Sequence, residues 1–335
     1  MLIKKRIIKL FLLLLLMTGC SRGGNPAEQS ENANRDTGEK KESLLIVGPR
    51  SAGSLPALWM QEKGEDFDLP EIKVQLYSSM DAMMAMALSD ECDMIMIPTH
   101  VASVLHNKGF DIKLLNVFQW GGLFLASTDP QCLSWKDLEG EELYVPSMGS
   151  VPDLATQIFL KENGLTIGKN ISVVYSNHVE IAQLLANGTI SHAVDVQPFV
   201  AAHENELNGY HVVSDFAEAW WKSTDGEYRM PGFCLISKSK SLNVNVQWLN
   251  HFNDQFGKAV NFLLASPEES GRLAHDFINA DAELISDAIG GFGFSCITAE
   301  GAQRDVENYF SVLFGMKEAC VGGALPDKTL FLGAE

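Results

Sequence analysis

The sequence has 335 residues, of which 46% are hydrophobic, so the chain is long enough for two domains with sizeable cores. Its 43 acidic and 25 basic residues give a formal net charge of -18. This balance argues against a nucleic-acid partner, because phosphate binding needs a basic face, and it is explained most simply by solubility.

The beginning of the chain has the order of an export signal. Basic residues precede an apolar stretch, Leu10 to Leu16, that is too short to span a bilayer comfortably. The sequence from Leu16 to Cys20 resembles a bacterial lipobox, which favours lipid attachment over an ordinary signal peptide with an incidental cysteine. We therefore predict a lipoprotein signal peptide over 1–20, lipidation at Cys20 and a flexible tether over 21–43.

Residues 44–98 alternate between short apolar runs and amphipathic segments, a pattern that predicts strand, helix, strand, helix and strand. The turn Gly53-Ser54-Leu55-Pro56 opens the first helix, which ends at Gly64, and the second helix is predicted over Asp81–Ser89. The predicted strands are Leu44–Val47, Ile72–Leu76 and Asp93–Ile97.

Residues 137–198 repeat this order. Apolar residues recur along one face of a helix that begins after Ser150, and Asp153 stands in the capping-box position three residues later. A second helix is predicted over Val179–Asn187. The predicted strands are Leu143–Val145, Ile171–Tyr175 and Ala193–Val196.

The two segments therefore predict two similar α/β lobes, each with a Gly-Ser-apolar-Pro turn between its first strand and first helix. Open α/β sheets bind ligands at the carboxyl ends of their strands, beside helix N-termini. Two such lobes that face each other would form a cleft with ligand groups on both walls.

The remaining segments predict how the lobes are joined. An apolar strand pair over 113–129 leads out of lobe one, and the strand Phe233–Ser237 returns the chain to it. We expect lobe one to comprise 44–128 and 233–335, lobe two to comprise 129–232, and crossings near 125–133 and 228–233 to form a hinge. Amphipathic segments at 246–265, 267–278 and 298–314 are expected to pack on lobe one.

The cysteines after Cys20 have neither zinc-type nor redox spacing. Their odd number leaves at least one unpaired, and pairs of Cys296 with Cys320 or of Cys132 with Cys234 stay open, although buried free thiols are favoured. The glycine spacing around Gly53 fits neither a dinucleotide nor a phosphate loop. We predict no metal and no cofactor.

Several sequence segments together resemble one known family. They are Trp135–Pro146, Gly149-Ser150, Phe159–Leu165, Ile181–Ile190, Pro198 and Gly322–Asp327. In this order and spacing they are similar to the solute-binding lipoproteins of ABC importers, in the family for nitrate, sulfonates, taurine and thiamine-precursor pyrimidines. The resemblance covers roughly residues 44–330 and departs at Ser191-His192, where the family has an Asp in a turn.

The resemblance implies an α/β type II periplasmic-binding-protein fold, with two Rossmann-like lobes joined by crossover strands. It also implies a non-enzymatic, extracytoplasmic protein that captures a small organic or anionic solute and delivers it to an ABC permease and its ATPase, held to the membrane by a lipid anchor. Two alternatives stay open. One is an enzyme like the thiamine-pyrimidine synthases, which share the fold, and the other is a ligand-sensing module for a membrane receptor.

The matching positions on the two walls give the candidate ligand contacts. Lobe one offers Arg50, Gly53, Ser54, Thr99, His100 and Trp120, and lobe two offers Ser147, Gly149, Ser150, Asp195 and Gln197. Simpler roles compete with several of them: Arg50 as a solvated loop residue, His100 as a helix cap, and Asp195 as a solvent-facing or capping residue. An Asp195 carboxylate in the cleft would favour a cationic or hydrogen-bond-donating ligand.

Overall fold

The structure is a computed structural model that describes residues 43–64, 68–89, 91–238 and 246–333. The predicted signal peptide, Cys20 and the tether lie outside the described residues. The strands are β1 (Ser43–Pro49), β2 (Glu71–Tyr77), β3 (Met94–Pro98), β4 (Ile112–Gln119), β5 (Leu123–Ser127), β6 (Glu142–Pro146), β7 (Ser172–Ser176), β8 (His192–Val196), β9 (His211–Asp215), β10 (Phe233–Lys238) and β11 (Phe294–Thr298).

The helices confirm the predicted alternation. They are α1 (Leu55–Glu62), α2 (Met80–Leu88), α3 (Thr99–Asn107), α4 (Val151–Glu162), α5 (His178–Ala186), α6 (Phe199–Glu206), α7 (Phe216–Ser223), α8 (Val246–Ala265), α9 (Pro267–Ile278), α10 (Ala282–Ala288) and α11 (Ala299–Met316). A short 3-10 turn, Ala52–Ser54, precedes α1.

The strands form two sheets. The first has the order β11-β4-β10-β3-β1-β2, in which β1 runs parallel to β2 and β3 while β10 lies antiparallel between β3 and β4. The second has the order β7-β6-β8-β5-β9, in which β6 is parallel to β7 and β8 while β5 is antiparallel to β8 and β9. We name the first sheet with α1–α3 and α8–α11 lobe one, and the second with α4–α7 lobe two.

The strand pair expected over 113–129 is wrong. Strand β4 ends at Gln119 in the first sheet, whereas β5 begins at Leu123 in the second, so the two strands do not pair with each other. Gly122, with φ 88°, carries the chain onward between them. The first crossing therefore lies at 120–122 rather than at 125–133, and β5, which we expected in lobe one, belongs to lobe two.

Each lobe has an aromatic centre. Phe118 contacts Phe256 edge-on in lobe one, with ring centroids 5.4 Å apart. In lobe two, Trp135, Phe159 and Phe216 contact one another at centroid distances between 5.2 and 5.4 Å. Strand β3 is buried along its whole length, as expected for a central strand covered on both faces. These cores fix the sheet edges from which the loops of the candidate site extend.

The cysteines of the described region are free thiols, so neither pairing that the sequence left open is present. Burial raises the pKa of Cys234 and of Cys296 to about 12. Within the described ranges, no group of three or more His, Cys, Asp or Glu side chains is placed to hold a metal ion. None of the described helices has the length and apolarity needed to cross a bilayer.

Candidate functional site

The turn between β6 and α4 projects from the carboxyl edge of the second sheet. Ser147 is exposed, with φ 47°, and Gly149 has φ 78°, so both residues adopt left-handed backbone conformations. The Ser150 hydroxyl donates to the Pro146 carbonyl at 2.7 Å and accepts the backbone N–H of Asp153 at 3.4 Å. The predicted N-cap is therefore confirmed.

The buried side chain of Asp153 holds this turn in place. Its side chain is 1% exposed, and Oδ2 accepts the backbone N–H of Gly149 at 2.7 Å. Oδ1 accepts the Tyr175 hydroxyl and the Gln157 amide, each at 2.9 Å. In a capping box the Asp153 carboxylate would accept the N–H of Ser150, but here it accepts the N–H of Gly149, one residue earlier. The turn is thus fixed before any ligand arrives. Burial, and then the bond to Asp153, raise the pKa of Tyr175 to about 12.

The matching turn of lobe one is more deeply buried. The Ser54 hydroxyl donates to the carbonyl of Pro49, as Ser150 donates to Pro146, so both serines bond back to the proline that ends the preceding strand. Ser54 is 0% exposed and makes no side-chain cap. Its hydroxyl is therefore not presented to a ligand, contrary to our expectation. Arg50, three residues before Gly53, is exposed at the edge of the sheet.

The start of α3 carries two further candidates. Thr99 is 0% exposed, and its backbone N–H donates to the carbonyl of Gly232 at 3.0 Å. His100 is 6% exposed, and burial lowers its pKa to about 4, so the imidazole is neutral at pH 7. Pro98 is the N-cap residue and no side chain caps this helix, so the capping role considered for His100 is wrong. Its Nδ1 has no hydrogen-bond partner in the described structure.

Trp120 and Gln197 lie where the lobes meet. The Trp120 indole N–H donates to the Ser295 carbonyl at 2.8 Å, and the backbone N–H of Gln197 donates to the Gly122 carbonyl at 3.1 Å. A Cβ on Gly291 of lobe one would lie 2.5 Å from the Gln197 amide nitrogen, so the glutamine side chain of lobe two reaches lobe one there. The peptide bond between Gln197 and Pro198 is cis.

Asp195 does not provide a cleft carboxylate. It is 2% exposed, and its Oδ2 lies 2.7 Å from His203 Nδ1 and accepts the Tyr210 hydroxyl at 2.8 Å. Oδ1 accepts the backbone N–H of Val196 at 2.9 Å. The side chain therefore joins β8 to α6 in the interior of lobe two, which was neither of the roles weighed from the sequence. Asp195 therefore gives no reason to expect a cationic or hydrogen-bond-donating ligand.

A cavity of about 610 Å³ lies between α4 of lobe two and the end of α11 in lobe one. Met148 and Gly149 form part of its lobe-two wall, and Met316, Lys317 and Cys320 form its lobe-one wall. Met148 is 74% exposed although it is apolar. An exposed methionine at a sheet edge, beside a cavity with walls from both lobes, is a feature of a binding surface rather than of a core.

The structure thus sorts the predicted residues into groups. Ser147, Gly149 and Ser150 share the turn above Asp153, and the turn at Gly53 lies beside the first crossing, where a Cβ on Gly53 would be 3.7 Å from Gln119 Oε1. Sequence reasoning did not identify Gln119. The sequence feature that could have identified Gln119 is its position as a polar residue at the carboxyl end of a buried strand, between the two lobes.

The comparisons with known proteins concern the sequence family and the fold. Residues 59–213 match the family described as ABC transporter, phosphonate, periplasmic substrate-binding protein. No match is found among the curated proteins.

Solved structures match over most of the chain. An ABC transporter protein from Parabacteroides distasonis is 20% identical with a TM-score of 0.75, over 88% of this chain and 100% of that one. The periplasmic aliphatic sulphonate-binding protein SsuA from Escherichia coli is 15% identical with a TM-score of 0.69, over 88% and 93%. The periplasmic nitrate-binding protein NrtA from Synechocystis PCC 6803 is 12% identical with a TM-score of 0.54, over 78% and 74%.

These matches confirm the fold class and the resemblance to substrate-binding proteins of ABC transporters. The chain has the type II periplasmic-binding-protein fold, and over residues 59–213 it carries the sequence pattern of the phosphonate-binding, ABC-transporter periplasmic substrate-binding family.

Proposed function

We propose that this protein is the solute-binding lipoprotein of an ABC importer. It captures a small organic or anionic solute between its lobes on the outer side of the cell membrane and delivers it to a permease that an ATPase drives. The family match and the solved relatives, among them sulphonate- and nitrate-binding proteins, support a binding protein rather than an enzyme. The order of charged, apolar and small residues before Cys20 supports lipid attachment there.

The observation that carries the proposal is the pre-formed turn of lobe two. Asp153 accepts the Gly149 N–H and Ser150 bonds to the strand end, so the exposed backbone of Ser147 and Met148 keeps one shape. The helix that follows directs its positive end toward the same edge, although the N–H groups of Gly149, Ser150 and Asp153 already donate within the turn. A rigid turn at the positive end of a helix suits a carbonyl, carboxylate or other anionic oxygen, because little conformational entropy is lost on binding.

Lobe one would supply the second set of contacts. Arg50 is exposed at the end of β1, and its planar fork of donors matches a carboxylate or sulfonate-like oxygen pair. His100 is neutral and has an unpartnered nitrogen, so it would form a neutral hydrogen bond without adding charge. Thr99, Gly53, Trp120 and Gln197 are proposed to shape the inner wall and the crossing rather than to bear charge.

The test begins with a thermal-shift screen of small anions and organic solutes, since a ligand at a hundredfold excess over its dissociation constant stabilises the folded protein by about 2.7 kcal/mol. Calorimetry with the first hit then compares Ser150→Leu with Ser134→Leu. Both serines start helical turns, but Ser134 precedes β6 and lies at the opposite edge of the sheet.

Ser150→Leu removes a helix cap, and Ser134→Leu removes the bond from its hydroxyl to the Asp137 carboxylate, so each should cost about 1 kcal/mol of stability. Only Ser150→Leu should also weaken binding, by at least about tenfold or 1.4 kcal/mol. Unchanged affinity in Ser150→Leu would move the site away from this turn. A screen in which no solute of these classes stabilises the protein would count against the proposed solute.

A further inference from the structure

We infer that Arg229 is a positioning residue that ties both crossings to lobe one and thereby confines bending between the lobes to the residues next to it. The inference rests on the proposed closure of the lobes around a solute. Its central pair, Arg229 and Asp305, was singled out neither by the family match nor by the sequence pattern, and its test needs no solute.

Arg229 lies in the second crossing, between α7 of lobe two and β10 of lobe one. Its backbone N–H donates to Asp305 Oδ1 at 2.8 Å, and its Nε and Nη2 both donate to Oδ2, at 3.0 and 2.5 Å. Asp305 belongs to α11 of lobe one, and its side chain is only 8% exposed. Charge-assisted bonds from three donors to one buried carboxylate hold the crossing in a single orientation on that helix.

The same guanidinium covers the first crossing. Its central carbon lies 4.5 Å from the centre of the Trp120 ring, within the range of a cation–π contact. Trp120 is itself fixed to lobe one, because its backbone N–H donates to the Gly293 carbonyl at 2.9 Å and its indole N–H donates to Ser295. Arg229 therefore connects the two crossings to each other as well as to α11.

Only one residue of the first crossing stands between the two lobes. Trp120 is bonded to Gly293 in lobe one, whereas the Gly122 carbonyl accepts the N–H of Gln197 in lobe two. Gly121 joins them, and a Cβ added to it would meet nothing closer than 3.5 Å. The second crossing is fixed to lobe one from Arg229 onward, where the Gly232 N–H donates to the Gln119 carbonyl at 2.9 Å.

With Arg229 in place, the backbone of Gly121 and the residues just before Arg229 absorb the rotation, and the lobes approach each other along one path. Without the guanidinium, Trp120 loses its cover and the second crossing detaches from Asp305. More orientations of lobe two then become accessible in the open state. A solute must order these extra states when it binds, so its affinity falls although no contact to it is lost.

The test compares Arg229→Lys with Arg272→Lys in the solute-free protein. Lysine keeps the charge but loses the fork of donors. Arg272 is a matched control, because its side chain is 41% exposed like that of Arg229, yet its partners Glu62 and Glu269 lie within lobe one. Distances between the lobes are measured by pulsed electron resonance, with spin labels on unnatural residues placed at the exposed positions Met80 and Val179.

Arg229→Lys should broaden the distance distribution and displace it to longer distances, while Arg272→Lys should leave it as in the parent protein. Asp305→Asn keeps the shape of the side chain but removes its charge, so it should broaden the distance distribution to a smaller extent. This variant replaces Arg229→Lys in the test if Arg229→Lys does not fold. Distributions that coincide in all folded variants would overturn the inference. Amide exchange in the unaltered protein gives an independent check: it should be slower at Trp120 than at Gly121, and equally slow exchange at both would also overturn it.

Discussion

Two tyrosines with opposite surroundings, the half-buried Tyr210 and the fully buried Tyr309, allow the packing of polar groups in this fold to be tested quantitatively. Tyr210 donates its hydroxyl to the Asp195 carboxylate at 2.8 Å, and burial together with this carboxylate raises its pKa well above the usual range. Tyr309 is 0% exposed, packs edge-on against Trp220 at 5.7 Å, and has no hydrogen-bond partner for its hydroxyl in the described structure.

Replacing each tyrosine by phenylalanine removes one oxygen and keeps the ring. For Tyr210→Phe the lost bond is to a charged group, so we expect the free energy of unfolding to fall by about 1.5–3 kcal/mol. For Tyr309→Phe no bond is lost, and an unsatisfied buried group that costs about 1–3 kcal/mol is removed. That variant should be as stable as the parent protein or about 1 kcal/mol more stable.

Urea unfolding followed by circular dichroism and by tryptophan fluorescence measures both changes. The two probes must give coincident transitions, because a two-lobed chain can unfold in more than one step. A double-mutant cycle of Tyr210→Phe with Asp195→Asn isolates the pair, since the two costs should not add. The reasoning is refuted if Tyr309→Phe loses as much stability as Tyr210→Phe, because the two hydroxyls would then have equivalent surroundings.

Three further predictions concern the anchor, the motion and the pH response. Cys20→Ala should release the protein from the membrane fraction, and unchanged fractionation would contradict lipid attachment at this residue. Small-angle scattering should show compaction with a saturating, proven solute, and an unchanged radius would argue against closure of the lobes. His100 has a folded-state pKa of about 4, below its ordinary 6.5, so the unfolded chain binds the proton first and stability falls as the pH drops from 6.5 to 4. The full loss of stability is about 3 kcal/mol, at 1.36 kcal/mol per pKa unit. The stability of His100→Gln should depend less on pH over this window than that of the parent protein. An identical dependence would show that the imidazole is not buried in its neutral form.

The elements that the sequence predicted well have local causes. The bounds of α8 and α9 agree with the predicted segments, since an amphipathic face, a proline in the first turn or a stop residue acts within a few positions. The turn at Gly149-Ser150 was predicted for the same reason. Its cap and its carboxylate are three residues apart, so the chain itself brings them together.

The elements that were missed depend on partners far along the chain. The sequence predicts that β5 pairs with β4, because nothing local shows that Trp120 bonds to Gly293 and so directs the next residues to another sheet. Strands β9 and β11 are short and were not predicted. Asp195 lies near the carboxyl end of strand β8, where such folds carry ligand residues, and only the folded lobe shows that Tyr210 and His203 occupy its Oδ2 atom.

The position of β10 determines the order in which the chain can fold. Lobe two is one continuous segment from β5 to α7, whereas the sheet of lobe one needs β10, which lies between β3 and β4 and is separated from both in sequence by the whole of lobe two. Until β10 is inserted, β4 has no partner on that side and β3 is an open edge. Pairing across so long a loop is slow, because the entropy of closing it must be lost before the strand contacts form. In refolding, lobe two should therefore become structured first, and the late step should be the insertion of β10 that closes the sheet of lobe one.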